Sequence, residues 1–207
     1  MSVNEFTDIV KRTRVFLFNL VNSVAFLMFG GLFTGYWLIV SSLPMEWWGW
    51  LAAALGAFAL GMLGGAVLET YLPWPRLTRA GMPSRIGLRW LASLIPPFTV
   101  AIALYAIGSG TWLEEYFSVL WYPFLGVALV LAGLLIEKPT TTLNPELVKA
   151  KPFLATGVAT LLLSPIAFTA AKILGDSAWT VALGLMTLSY TVAGIYTLHK
   201  ALRVFEK

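Results

Sequence analysis

"IGLRWLASLIPPFTVAIALYAIG", residues 86–108, carries one charge, Arg89, near its start and no other before Gly108. An α-helix needs about 20 mostly apolar residues to cross the hydrocarbon core of a bilayer, and this stretch supplies them. Pro96 and Pro97 stand side by side at its centre. Each removes a backbone donor and crowds the carbonyl four residues back, at about 3 kcal/mol or more inside a helix. The stretch reads as a membrane-crossing helix interrupted halfway.

The 207-residue chain repeats that composition, with 58% of its residues hydrophobic and 12% charged, against about a quarter charged in soluble domains. Six apolar runs, at about 15–40, 47–72, 86–108, 116–137, 152–174 and 178–200, each approach the length of a span. They predict an all-α polytopic membrane protein with six transmembrane helices in a single integral membrane domain covering 1–207. Lys11, Arg12 and Arg14 precede the first run as they would a signal peptide. The run is too long for a signal core and is read as a retained helix.

Basic residues set the expected orientation. They cluster before the first run (Lys11, Arg12, Arg14), after the second (Arg76, Arg79, Arg85, Arg89), after the fourth (Lys138, Lys149, Lys151) and after the sixth (Lys200, Arg203, Lys207), leaving Lys172 alone on the other side. The positive-inside rule then puts both termini in the cytoplasm, with the chain in the cell membrane. A net charge of +4 distributed this way suits anionic lipid headgroups at the cytoplasmic face rather than nucleic acid. Cysteine and glutamine are absent, and asparagine occurs only at positions 4, 19, 22 and 144. Depletion of thermolabile side chains points to a thermophilic source.

The runs pair into three helical hairpins that resemble one another weakly. "PFTVAIALYAIGSGTW" (97–112) and "PIAFTAAKILGDSAW" (165–179) place a proline, a half-helix, a glycine turn and a tryptophan at similar offsets. Leu55-Gly56, Leu125-Gly126 and Leu183-Gly184 recur in the even-numbered helices, which is expected of a pseudo-threefold repeat. The odd-numbered helices are expected to be kinked at the bilayer midplane, at Gly30-Gly31, Pro96-Pro97 and Ser164-Pro165. Freed backbone groups are tolerated in hydrocarbon only where they face protein or a water-filled cavity, so the breaks should point inward.

Interrupted segments at matching positions are the sequence mark of a transporter's binding site. Gly30, Gly31, Ser93, Pro96, Pro97, Ser164 and Pro165 are therefore candidate ligand-binding residues, together with Asn19 and Asn22 in the inner third of the first helix. Glu69 and Glu137 end the second and fourth helices among basic neighbours, where ion pairing or gating is expected. Gly49, Ala53, Ala57, Gly61 and Gly65 form a small-residue stripe suited to close helix packing or to contact with a second copy or a membrane partner. "NPEL" (144–147) reads as the capped start of a short helix leading into the fifth run.

Catalytic signals are thin. His199 is the sole histidine, and one histidine without a cysteine or carboxylate cluster is not a metal site. No Walker loop, Gly-x-Ser-x-Gly elbow or His-Glu-x-x-His occurs, so no catalytic residue is assigned and no cofactor is implied. The expected function is a small transporter, channel-like protein or membrane solute-binding subunit for a neutral or amphipathic molecule, with its site between the first, third and fifth helices. The alternative is a non-catalytic structural or accessory subunit of a larger membrane complex.

Overall fold

The computed structural model describes residues 3–44, 46, 48–49, 52–53, 55–57, 59–61, 63–64, 85–143, 145–146 and 148–205. The described residues are helical throughout, with no strand among them. Helix α1 spans Val3–Ser41, and the described residues between 48 and 64 belong to a second helical segment, α2. Then come α3 (Ile86–Gly108), a 3-10 turn at Trp112–Tyr116, α4 (Trp121–Leu143), α5 (Pro152–Leu174), a 3-10 turn at Gly175–Ser177 and α6 (Ala178–Leu202). Four stretches are long and apolar enough to cross a membrane: Glu5–Ser41, Ile86–Gly108, Trp121–Leu143 and Pro152–Leu202. The last contains both α5 and α6, divided at Gly175, whose φ of 56° lies where glycine is favoured.

The expected interruptions do not occur where the prolines and glycines stand. α3 runs as one helix through Pro96-Pro97, α5 through Pro165, and α1 through Gly30-Gly31. A proline deletes one donor at a time, and helical bonding resumes on either side. Backbone irregularity lies instead in α4, where Gly133–Glu137 forms a π turn. Residues 145 and 146 form a turn, not the start of a helix, and α5 begins at Pro152. Pro152 disfavours helix at Lys151 and suits the first helical position.

Neighbouring helices approach closely where glycines meet. α4 packs on α5 with the positions reversed: Gly126 faces Leu161 and Gly157, Val130 faces Gly157, and Gly133 faces Leu154. A Cβ on Gly157 would stand 2.6 Å from the Val130 amide nitrogen and 2.8 Å from the Gly126 carbonyl oxygen. α1 packs on α6 in the same sense. Ser23 Oγ donates to the Gly194 carbonyl at 2.7 Å, and the Thr34 and Thr187 hydroxyls meet at 2.6 Å. Small residues let membrane helices come near enough for such hydrogen bonds and for dispersion contact.

These contacts bring the described parts of the N-terminal, 138–151 and C-terminal basic segments to one end of the molecule. There Lys11 pairs with Glu146 at 2.6 Å, the Lys149 amide donates to Asn19 Oδ1 at 3.2 Å, and Phe16 meets Phe205. Lys11 holds the Glu146 carboxyl below its ordinary range, so this exposed tether stays closed as pH falls through the usual carboxylate range and opens only below it. At the opposite end Ser118 Oγ donates to the Gly175 carbonyl at 3.2 Å, and Trp37, Trp121 and Trp179 cluster beside Lys172 and Tyr116. A core of Val119, Tyr122, Ala167, Ala171, Ala178, Ala182, Leu183 and Met186 lies beneath that aromatic cap.

Gly157→Ala should lower the thermal midpoint in detergent, because rigid backbone blocks the new methyl and overpacking costs about 1–3 kcal/mol. Gly184→Ala should leave it unchanged or raise it slightly, since nothing lies within 4 Å of a Cβ there and alanine is the better helix former. Parallel melts of the two variants check this contrast.

Candidate functional site

Two polar constellations stand out, and both begin with backbone chemistry. In α4, Pro139 has no N–H, so the carbonyl of Leu135 loses its normal helical donor. Arg89 of α3 fills the vacancy, its Nη1 donating to the Leu135 oxygen at 2.6 Å. The π turn that precedes Pro139 is closed by the Lys138 amide bonding to the Gly133 carbonyl. Thr140, Thr141 and Thr142 then donate their hydroxyls to carbonyls four residues back.

The same turn delivers Glu137 to the start of α5. Its two carboxylate oxygens accept from the amides of Phe153 at 2.7 Å and Leu154 at 3.0 Å. The first amides of any helix have no partner within it, and a carboxylate there also meets the positive end of the helix dipole. With Pro152 contributing no donor, Glu137 satisfies the next two. The side chain is buried, and Lys151 adds electrostatic attraction. Among the described residues Glu137 has no ion-pair partner within salt-bridge distance and serves as an interhelical cap; Arg76 and Arg79, two of the basic neighbours expected near it, lie outside the described residues.

The second constellation lies in the core. Thr156, Thr160 and Ser164 repeat every four residues along the buried face of α5, each donating to the carbonyl four residues earlier. Ser189 of α6 does the same to Leu185. Their donors are spent while their oxygen lone pairs remain. Tyr122 of α4 is fully buried, and its hydroxyl lies against the Thr160 and Ser189 hydroxyls, whose free lone pairs can accept from it.

The residues singled out from the sequence fall into different interfaces. Gly30 is buried against Tyr190 of α6, whereas Gly31 is exposed with nothing near it. Ser93 and Pro97 lie on the buried face of α3, with Ala101, and α3 packs mainly on α4. Ser93 Oγ bonds its own helix at Trp90. Pro96 and Pro165 are on exposed faces, contrary to the expectation that all the breaks turn inward. Ser164 is buried in the α5 ladder.

Asn19 fastens the segment before α5, its Nδ2 donating to the Val15 carbonyl at 2.8 Å while its Oδ1 receives Lys149. Asn22, one turn on, is half-buried. The small-residue stripe of α2 lies close to α1: Tyr36 donates to the Ala53 carbonyl at 2.7 Å, Ala57 and Gly49 are buried, and Gly61 faces Phe33. Gly65 and Glu69 lie outside the described residues, as does Asn144.

Sequence reasoning missed the roles of Tyr122 and Arg89. Tyr122 reads as one more aromatic of an interfacial belt. The Lys138-Pro139 dipeptide, with an arginine at the same end of the preceding helix, is the signal that could have located the Arg89 bond. Among the described residues no three of His, Cys, Asp and Glu come together to hold a metal. No protein-family model, curated protein or solved structure matches the chain.

Glu137→Ala should destabilise the fold by about 1–3 kcal/mol, the cost of stranding buried amides, and Glu137→Gln by less, since one amide oxygen can still accept. Urea or thermal denaturation in detergent, run on both variants, reads the order.

Proposed function

We propose that this chain is a non-catalytic accessory subunit of a larger membrane assembly, built as a rigid helical scaffold. The observation carrying this reading is the commitment of its intramembrane polar groups. Glu137 is taken up by two amides, Arg89 donates to a carbonyl, and Ser93, Thr156, Thr160 and Ser164 donate to their own helices. Polar side chains inside a membrane protein mark function mainly when they face a cavity or a pathway. The two clefts described are both open to the surface, and neither includes Ser93 or Ser164.

The reading includes six crossings, α5 and α6 each forming one and α2 another, arranged as three antiparallel hairpins with both termini in the cytoplasm. Support comes from the gathering of the described basic segments at one end and from the positive-inside rule. The pseudo-threefold relation rests on the sequence offsets alone, and a thermophilic source on composition alone.

A second reading has one observation in its favour. The buried Tyr122 hydroxyl, beside the Thr160 and Ser189 hydroxyls, is a polar group in the core that could turn to a neutral solute in a transporter or solute-binding subunit.

Because the chain has no cysteine, single cysteines test the topology cleanly. Thr111→Cys and Asp176→Cys should react with a membrane-impermeant maleimide in intact cells, and Thr13→Cys only after permeabilisation. The functional readings separate on gentle extraction and native mass spectrometry. The expected result is a fixed-stoichiometry complex with another membrane protein, together with background solute uptake by proteoliposomes of the chain alone. Uptake by the isolated chain that Tyr122→Phe abolishes would overturn the accessory reading in favour of transport.

A further inference from the structure

At the basic end of the molecule an open cleft of about 490 Å³ lies between the segment entering α5 and the end of α6. It is lined by Lys149 and Lys151, by the apolar Leu154, Ala155 and Val158 of the first turns of α5, and by Tyr196 of α6. A third cation stands beside it, since Lys200 Nζ sits 5.6 Å from the Tyr196 ring centroid. The cleft therefore offers two chemistries a few residues apart, cationic and apolar.

Its depth in the bilayer follows from its neighbours. Trp90 of α3 packs edge-on against Phe153, the residue beside Leu154, and tryptophans concentrate at the headgroup level. The nearby carboxylates offset the lysines only in part. Glu137 attracts Lys151, and Glu146 attracts Lys149 while pairing with Lys11, which leaves Lys11, Lys149, Lys151 and Lys200 against two carboxylates and the end net positive. Basic pockets between membrane helices on the positively charged side suit anionic headgroups, and each Lys near such a surface strengthens that attraction.

We propose that this cleft is a binding site for one anionic phospholipid. Lys149, Lys151 and Lys200 hold the headgroup phosphate, and Ala155 and Val158 take the adjoining part of an acyl chain. The cleft is smaller than a two-chain lipid, so the remaining chain stays in the bilayer. A zwitterionic lipid brings its own ammonium to the cleft and meets the lysines unfavourably. A free phosphate meets the lysines but leaves the apolar lining unused. The Glu137 cap contributes indirectly, because it fixes the start of α5 and with it the spacing of Lys151 from Leu154.

The full-length protein, purified in detergent and delipidated, is titrated with phosphatidylglycerol, phosphatidylcholine or inorganic phosphate, and bound lipid is counted by native mass spectrometry. The expected result is one preferred phosphatidylglycerol. Lys149→Gln, Lys151→Gln and Lys200→Gln together should weaken it on the order of tenfold to a hundredfold. The same loss of three charges from Arg12, Arg85 and Lys138, none of which lines the cleft, each changed to Gln, should change it less than about threefold, which separates a site from general surface charge. Size-exclusion profiles and melting midpoints confirm that both variants fold. Equal binding of phosphatidylcholine, displacement of the lipid by inorganic phosphate alone, or equal losses in the two triple variants would each overturn the proposal.

Discussion

A backbone carbonyl in hydrocarbon has no water to turn to, and much of this structure follows from that constraint. Pro139 frees the oxygen of Leu135, and Arg89 crosses from another helix to satisfy it at 2.6 Å. The irregular turn beside it carries Glu137 to the first amides of α5. One missing N–H thus ties α3, α4 and α5 together at a single level. Without Arg89 the Leu135 carbonyl is stranded, and without Glu137 two amides at the start of α5 are, at about 1–3 kcal/mol for each buried group.

Close helix contact is the second requirement, and it shapes how the polar side chains are used. Gly126, Gly157 and Gly194 let backbones approach, and the adjacent hydroxyls then find carbonyls within reach, as Ser23 does across to Gly194. Lipid tails are as apolar as leucine, so the drive to associate comes from dispersion and hydrogen bonding rather than from hydrophobic burial. A packed, internally satisfied interior is the outcome. Among the described residues, the buried Trp179 Nε1 finds no acceptor, and the Tyr122 hydroxyl has only the lone pairs of Thr160 and Ser189 to donate to.

Much of this was legible in the sequence where hydropathy alone decides. The runs at 86–108 and 152–174 coincide with α3 and α5, because charge, glycine or proline stands at their ends. The fourth run begins five residues before α4. Thr111 caps a 3-10 turn there by accepting from Leu113, and Pro123, best accommodated in a first turn, agrees with a start at Trp121. The first helix begins well before its apolar run, since Glu5 in its first turn and the Asp8–Arg12 pair at 2.8 Å support helix in water. The candidate site was less legible. Pro96 and Pro165 drew attention by their depth, yet the consequential proline was Pro139, which sits near a helix end where prolines look ordinary. Which carbonyl a proline frees can be read from sequence, but which side chain reaches it depends on helix packing.

α1 is one uninterrupted helix of 39 residues, which at about 1.5 Å per residue is roughly 58 Å long. The hydrocarbon core is only about 30 Å thick. The apolar run of the helix at 15–40 accounts for about 39 Å of that length. The polar turns before the run are braced by Glu146 on Lys11, with the ring of Phe205 on Phe16 beside them, so the end of the rod is held rather than left to swing.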